Sequence, residues 1–188
     1  MRLKVIVPPA SEPVSLQEMC AYLRLDCDEE QSLIGQLIKA ARQYCEDFQH
    51  RAYLRQTLEL IDKPINNILE LPRSENLQEV LSVSSNNGRY TVVQDLLARL
   101  CFTTEKNNVT VRYVTGVEDA AGVDEQVKLA IRMLVAHWFE NRTAVSFSNA
   151  VPREVPLAVK ALLEPGRIIT LCCLLYTSPS PRDRQKSR

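Results

Sequence analysis

The sequence predicts an α+β protein that is mainly α-helical: a helical bundle with a small antiparallel β insertion between its second and third main helices. Two observations lead to this prediction. Apolar residues recur at spacings of three and four in three separate segments, as on the buried side of a helix. Between the second and third of these segments, at 56–115, short alternating runs are separated by turn residues, as in antiparallel strands.

Length and composition predict one domain, which we place at 1–171. The chain has 188 residues, of which 45% are hydrophobic, and this is enough for a single compact core. No apolar run approaches the ~20 residues that cross a bilayer, so no membrane partner is expected. Six cysteines at irregular spacing are typical of thiols in a reducing cytosol rather than of a disulfide framework.

The N-terminal part of the chain predicts an extended stretch followed by two helices. Residues 1–13 carry three prolines, which block a helix and favour an extended backbone. The first helix is predicted over 15–25, because Ser15 and Glu18 have the spacing of a capping box. A second helix is predicted over 29–50, where eight apolar residues lie on one side.

The β insertion at 56–115 is followed by the last two predicted helices. Within the insertion, six short strand-like runs alternate with turn signals such as Asn86-Asn87-Gly88. The third main helix is predicted over 123–142 and a short fourth helix over 156–163. The side chains expected to form the centre of the helical core are Leu37, Ile38, Ala41, Ile131, Leu134 and Trp138.

The end of the chain, 172–188, differs from the rest. Cys173–Asp183 resembles the conceptual translation of a transposon-based sequencing adapter, so we predict that 172–188 is an adapter artefact and is disordered. The alternative is a natural basic tail rich in serine and proline. This segment contributes a net charge of +3, so the rest of a chain with zero net charge carries about −3. That value argues against a strongly nucleic-acid-binding surface.

Residue types and spacings predict no catalytic, cofactor-binding or metal-ligating site, and hence no cofactor. His137 lies beside Trp138 at the edge of an apolar stripe, so we expect a structural, partly buried histidine there rather than a general base. Cys20 and Cys45 fall on predicted core stripes, so we interpret them as buried thiols rather than metal ligands. Arginines such as Arg42 are scattered, and each is expected to pair with a carboxylate at the surface or between subunits.

Four motifs in a fixed order resemble the head-tail connector (adaptor) family of tailed bacteriophages. The resemblance covers most of 11–167. Its most specific parts are Leu23-Arg24-Leu25-Asp26, Leu37-Ile38-Lys39-Ala40-Ala41-Arg42 with Glu46 one turn on, His137-Trp138-Phe139-Glu140-Asn141-Arg142, and Val155-Pro156 with Ala161-Leu162-Leu163. No single motif is a catalytic signature, and the family has no enzymatic activity.

The resemblance implies a virion structural protein that forms a ring of roughly a dozen copies beneath the portal. Such a ring extends the DNA channel and docks tail-completion proteins. The implied partners are further copies of the chain, the portal protein and a tail-side stopper or completion protein, with DNA passing through the lumen without sequence-specific binding. The implied location is the head–tail interface of the virion, and the host cytoplasm during assembly. Family members commonly dock on the portal through a C-terminal segment, here Arg153, Pro156, Lys160, Leu163 and Arg167.

Two other function classes remain open at this stage. A small DNA-binding or regulatory helical protein would read DNA through arginines on the helix at 29–50. That helix carries Glu29, Glu30, Glu46 and Asp47 against Lys39, Arg42 and Arg51, so it is not a basic recognition helix. An enzyme is disfavoured because no polar constellation accompanies either histidine.

Overall fold

The computed structural model describes residues 1–25, 30–84, 89–103, 107–141 and 157–169. Of these residues, 39% are helical and 31% lie in strands, arranged as four α-helices and two antiparallel sheets. The helices are α1 (Leu16–Leu23), α2 (Gln31–Gln49), α3 (Glu125–Glu140) and α4 (Leu157–Leu163). The strands are β1 (Arg2–Val7), β2 (Gln56–Asp62), β3 (Ile68–Glu70), β4 (Leu77–Ser84), β5 (Tyr90–Gln94), β6 (Ala98–Phe102) and β7 (Val109–Thr115).

The strands form two sheets rather than one small insertion. The four-stranded sheet has the order β1-β2-β7-β4 and the three-stranded sheet has the order β3-β6-β5, with every neighbouring pair antiparallel. Buried side chains from both sheets meet in one core, which is separate from the helical core. Its members are Leu58, Leu60, Leu69, Leu71, Ala98, Leu100, Phe102, Val109, Val111 and Tyr113.

The prediction of a mainly α-helical bundle is therefore wrong, because the fold is α+β with strands nearly as abundant as helices. The physical reason is that the strands bury their apolar faces against each other. A β insertion carried by a bundle would instead bury that face on the helices. Long apolar helical stripes are easy to see in a sequence, whereas short strands reveal their shared core only once they are paired.

The extended N-terminal stretch forms β1, which adds a fourth strand to the larger sheet. Leu3 pairs with Leu60 and Val5 with Leu58, so both side chains lie on the inner face of the sheet. The prolines that block a helix begin at Pro8, directly after the strand ends. The N-terminus therefore contributes to the β core instead of preceding the fold as a loose segment.

The helices pack in a second core in which α2 and α3 are the main partners. The predicted capping box of α1 is confirmed, since Ser15 Oγ accepts a hydrogen bond from the Glu18 amide and Glu18 accepts one from the Ser15 amide. Hydrogen bonds to the Glu18 carboxyl from the backbone and the side chain of Ser15 lower its pKa. Gly116, at φ +102°, lets the chain turn from β7 past the carbonyl of Leu54.

The cysteines follow the sequence prediction only in part. Cys20 is disulfide-bonded, so the prediction of a thiol there is wrong. Cys45 is a buried free thiol, and burial raises its pKa to about 12. The predicted adapter segment 172–188 lies outside the described residues.

Candidate functional site

A buried polar cluster near the C-terminal end of α2 joins the helical core to the sheets. Arg42 Nη1 donates to Glu46 Oε2 at 2.8 Å, and Arg42 Nε donates to Glu12 at 2.7 Å. The other Glu46 oxygen accepts from the Tyr53 amide at 3.1 Å and from Gln56 Nε2 at 2.9 Å. The Arg42–Glu46 pair on α2 therefore holds the N-terminal segment, the α2–β2 connection and β2 together.

Electrostatics in this cluster depend on the burial of the ion pair. Arg42 is 4% exposed and Glu46 is 2% exposed. Burial raises the pKa of the Glu46 carboxyl, and the neighbouring Arg42 guanidinium and the hydrogen bonds to the carboxylate oppose that shift. Arg73 adds a further positive charge, with its Nη1 4.0 Å from Glu46 Oε2. The buried pair connects parts of the fold and is not an exposed binding site.

Gln49 fixes the C-terminal part of the chain against α2. Its Nε2 donates to the Leu163 carbonyl at 2.6 Å, and its backbone carbonyl accepts from the Ile168 amide at 2.9 Å. Its Oε1 accepts from the Tyr53 hydroxyl at 2.5 Å, and burial raises the pKa of that hydroxyl. The guanidinium of Arg167 lies over the ring of Phe48, 5.1 Å from the centroid. α4 is thus docked on the helical core by specific polar contacts.

An open cleft of about 670 Å³ lies between the two sheets and the end of α2. Its walls combine apolar side chains with charges of both signs. They include Met1, Leu3, Asp47, Asp62, Ile65, Ile68, Arg73, Leu97 and Ile168. The Met1 ammonium forms an ion pair with Asp62 at 3.1 Å, beside the cleft and at the end of the paired strands β1 and β2. The lining has no concentration of one charge and no group of three potential metal ligands within the described residues.

Apolar side chains are also exposed along the edges of both sheets. Val5, Ile6 and Val7 of β1 are solvent-exposed, as are Leu81 of β4 and Val93 of β5. Exposed apolar residues on unpaired strand edges are typical of surfaces that meet another chain. No helix in the described part of the chain combines the length and apolarity that crossing a membrane requires.

The residues of the predicted docking segment differ in their exposure to solvent. Lys160 is half-buried, Leu163 is buried in the helical core, and Arg167 is exposed. Arg153 and Pro156 lie outside the described residues. The predicted core residues come together: Ile38, Ala41, Ile131 and Leu134 are buried, and Leu37 and Trp138 pack partly buried against them. The rings of Trp138 and Tyr44 meet edge to face, with their centroids 6.2 Å apart.

Sequence reasoning misplaced Arg42 and missed the glutamines. The prediction that Arg42 pairs at the surface or between subunits is wrong, because its carboxylate partners lie within the same chain. The sequence does contain a signal for the burial of this pair. Arg42 and Glu46 have i,i+4 spacing and directly follow Ala41 and Cys45, so both charges lie on the apolar side of α2. Nothing in the local sequence identifies Gln49, whose partners lie far along the chain.

Comparison with known proteins assigns the family. A sequence model of the phage gp6-like head-tail connector protein family matches residues 13–167. The chain belongs to this family. The family consists of virion structural proteins, so the connector is assigned a structural role at the junction of head and tail. A search of curated proteins by sequence gives no significant match.

Solved structures with the same fold come from gene transfer agent (GTA) particles. The connector is similar to a chain in the neck of the empty GTA particle computed with C6 symmetry, with a TM-score of 0.73. It is also similar to chains in the virion of the native GTA particle, with a TM-score of 0.68, and in the neck of the native particle computed with C12 symmetry, with a TM-score of 0.66. Each comparison has 16% identity and covers 91% of this chain and 97% of the other, which establishes a shared fold.

Proposed function

We propose that the connector assembles into a closed ring beneath the portal of a phage or phage-like particle, where it extends the DNA channel and docks tail-completion proteins. It would act in the virion, at the head–tail interface, and would pass through the host cytoplasm during assembly. The role is structural and involves no catalysis. The observation that carries the proposal is the family match over 13–167, which spans both the helical core and the two sheets.

Ring assembly is supported by the fold and by the exposed edges. The related chains belong to necks computed with C6 and C12 symmetry, and a cyclic ring needs two different contact surfaces on each subunit. The connector has exposed apolar strand edges on two separate sheets. Outside the adapter-like segment the net charge is about −3, which suits a lumen in which DNA slides without strong phosphate binding.

Portal docking is proposed for the C-terminal segment that contains Arg153, Pro156, Lys160, Leu163 and Arg167. Leu163 is buried and its carbonyl is bonded to Gln49, so it would anchor α4 instead of touching the portal. Lys160 is partly exposed and Arg167 is exposed, and they are the positively charged residues in the described part of this segment. A matching acidic surface on the portal would complete the contact.

Light scattering over a concentration series, with and without purified portal protein, tests the ring. We expect a ring whose mass is an integer multiple of the 21.3 kDa subunit, at high concentration or when portal protein is added. A dimer that shifts duplex DNA would instead support the DNA-binding alternative. A chain that stays monomeric in both conditions would refute the proposed assembly.

Binding to immobilised portal protein tests the docking segment. The double variant Lys160→Glu/Arg167→Glu should bind at least tenfold more weakly, because each reversal replaces an attraction with a repulsion. Arg55→Glu is the matched control, since Arg55 is an exposed arginine on a different surface, paired with Glu118. Equal binding by the control and the double variant would exclude this segment.

A further inference from the structure

The four-stranded sheet has two open edges. In the described part of the chain, β1 pairs only with β2 and β4 pairs only with β7. Each edge strand therefore presents unpaired backbone N–H and C=O groups, flanked by exposed apolar side chains such as Val5 and Leu81. Natural proteins protect such edges or use them to bind another strand.

We propose that these two edges bind each other in the ring: β4 of one copy pairs antiparallel with β1 of the next, and the sheet continues from subunit to subunit. The inference rests on the proposed function, because it specifies the contact through which the ring closes. The occupant of each edge is a second copy of this chain. The four-stranded sheet supplies both halves of the heterologous interface that a cyclic assembly requires.

Strand direction favours this contact. The order β1-β2-β7-β4 contains three antiparallel steps, so β1 and β4 run in opposite directions. Rotation about a ring axis preserves the arrangement of strands in every copy. β4 of one copy therefore meets β1 of the next in the antiparallel orientation, with the hydrogen-bond geometry of the pairs already present in the sheet.

Register also favours this contact, because the inner face presents continuous apolar rows. From β1 to β4, the two rows are Leu3, Leu60, Val111, Val83 and Val5, Leu58, Tyr113, Val80. When the rows continue into the next copy, Val83 lies opposite Leu3 and Val80 lies opposite Val5. Each junction then pairs two aliphatic side chains, the combination that stabilises cross-strand contacts.

The charges on the two edges have opposite signs. β1 carries Arg2 and Lys4, both exposed, whereas the charged residue of β4 is the exposed Glu79. Pairing β1 with a second β1 would bring four cations together and would leave both β4 edges open. Pairing β1 with β4 places Ser82 opposite Lys4, Ser84 opposite Arg2 and Glu79 opposite Val7, so no like charges face each other. It also leaves no open edge in a closed ring.

The three-stranded sheet is a poorer candidate for the same contact. Its order β3-β6-β5 has two antiparallel steps, so its edge strands β3 and β5 run in the same direction. Joining those edges head to tail would create a parallel pair, which is less stable per residue. β3 also has only three residues, which limits the number of hydrogen bonds it can form.

Engineered disulfides test the register. Leu3→Cys/Val83→Cys places one thiol on each edge in the same row, within reach of a cross-strand bond in the ring. Oxidation should produce a reducible ladder of covalent oligomers that is absent from the wild-type chain with its native cysteines. Lys4→Cys/Val83→Cys is the control, since Lys4 lies on the other face of β1 and should give no ladder. Equal ladders from both variants, or none from either, would overturn the proposed register.

A pair of matched lysine substitutions tests the edge itself. Val5→Lys places a charge on β1, and Val93→Lys places the same charge on β5, at positions that are 44% and 41% exposed. We expect Val5→Lys to shift the ring to monomer over the tested concentration range, while Val93→Lys retains the ring. Far-ultraviolet circular dichroism and the melting temperature check that both variants fold.

The outcomes separate this inference from the proposed function. Rings that persist in Val5→Lys would overturn strand addition and leave ring assembly intact. A ring of the Leu3→Cys/Val83→Cys variant that forms no crosslink on oxidation would overturn the proposed register and leave ring assembly intact. A wild-type chain that forms no ring, even with portal protein, would refute both. Loss of the ring in Val93→Lys alone would assign the contact to the smaller sheet.

Discussion

Replacing Arg42 with methionine isolates the contribution of the buried ion pair. Methionine preserves much of the apolar stem of arginine but removes the charge that faces Glu46. The carboxylate would retain its bonds from the Tyr53 amide and Gln56 and would keep Arg73 4.0 Å away. Breaking a buried pair by removing one partner costs ~3–5 kcal/mol, and the retained bonds favour the lower end, about 3 kcal/mol.

This loss should depend on pH in a defined direction. Burial raises the pKa of Glu46 above its usual 4.5, so its protonation favours the folded state and stability falls as pH rises through the folded-state pKa. Without Arg42 the folded-state pKa rises further, and stability continues to fall over a wider pH range. The gap between Arg42→Met and the wild type should therefore be small near pH 4 and full at pH 7.

Urea unfolding followed by the fluorescence of Trp138 measures the effect across pH. At pH 7 we expect a loss of about 3 kcal/mol, equivalent to a fall of roughly 6–12 °C in melting temperature. Adding Glu46→Gln should recover most of the loss, because no buried charge then remains. Arg55→Met, which breaks the exposed pair with Glu118, should cost less than ~1 kcal/mol. A loss that is independent of pH, or no larger than that of Arg55→Met, would refute the reasoning.

Four further substitutions have distinct expected effects on the free energy of unfolding, each measured by urea denaturation. Gly116→Ala should cost ~3 kcal/mol or more, because φ is +102° and a Cβ would overlap a carbonyl; Gly35→Ala, in an open helical position, should stabilise by ~0.5–1 kcal/mol. Leu134→Ala should cost ~2–5 kcal/mol by opening a cavity in the helical core, and a loss below 1 kcal/mol would contradict its full burial. Tyr53→Phe should cost ~1–3 kcal/mol by leaving Gln49 Oε1 without its donor, and an unchanged midpoint would contradict that bond.

The helices were the more predictable part of the fold because their signals are local. The capping box at Ser15 and Glu18 and the apolar periodicity of α2 and α3 are contained within single segments, and the four helices lie inside the ranges predicted for them. Six strands, β2 to β7, were individually recognisable for the same reason, whereas β1 was expected only as an extended stretch. The division of the strands into two sheets was not recognisable, since pairing is decided by contacts between residues that are distant in sequence, such as Leu3 and Leu60.

The polar cluster could not be predicted for a related reason. The spacing of Arg42 and Glu46 beside Ala41 and Cys45 indicates the apolar side of α2, but it does not identify what covers the pair. Their burial depends on coverage by Glu12, which precedes α1, and by Gln56, which begins β2. Family resemblance supplied the role, but its motifs contain no information about which sheet edges remain open.

The docking of α4 has a consequence for synthesis of the chain. The β core is complete once Thr115 has been made, whereas the helical core also needs Leu163. The hydrogen bond from the Ile168 amide to the Gln49 carbonyl needs the chain to reach Ile168. At translation rates of 5–20 residues per second, roughly 3–10 s separate the synthesis of Thr115 from that of Ile168. During that interval the growing polypeptide exposes the apolar side of α2 until α3 is made, and then the part of α3 that α4 covers. Premature termination before α4 would leave that part of α3 uncovered permanently, so a truncated subunit would expose apolar surface that the complete subunit buries.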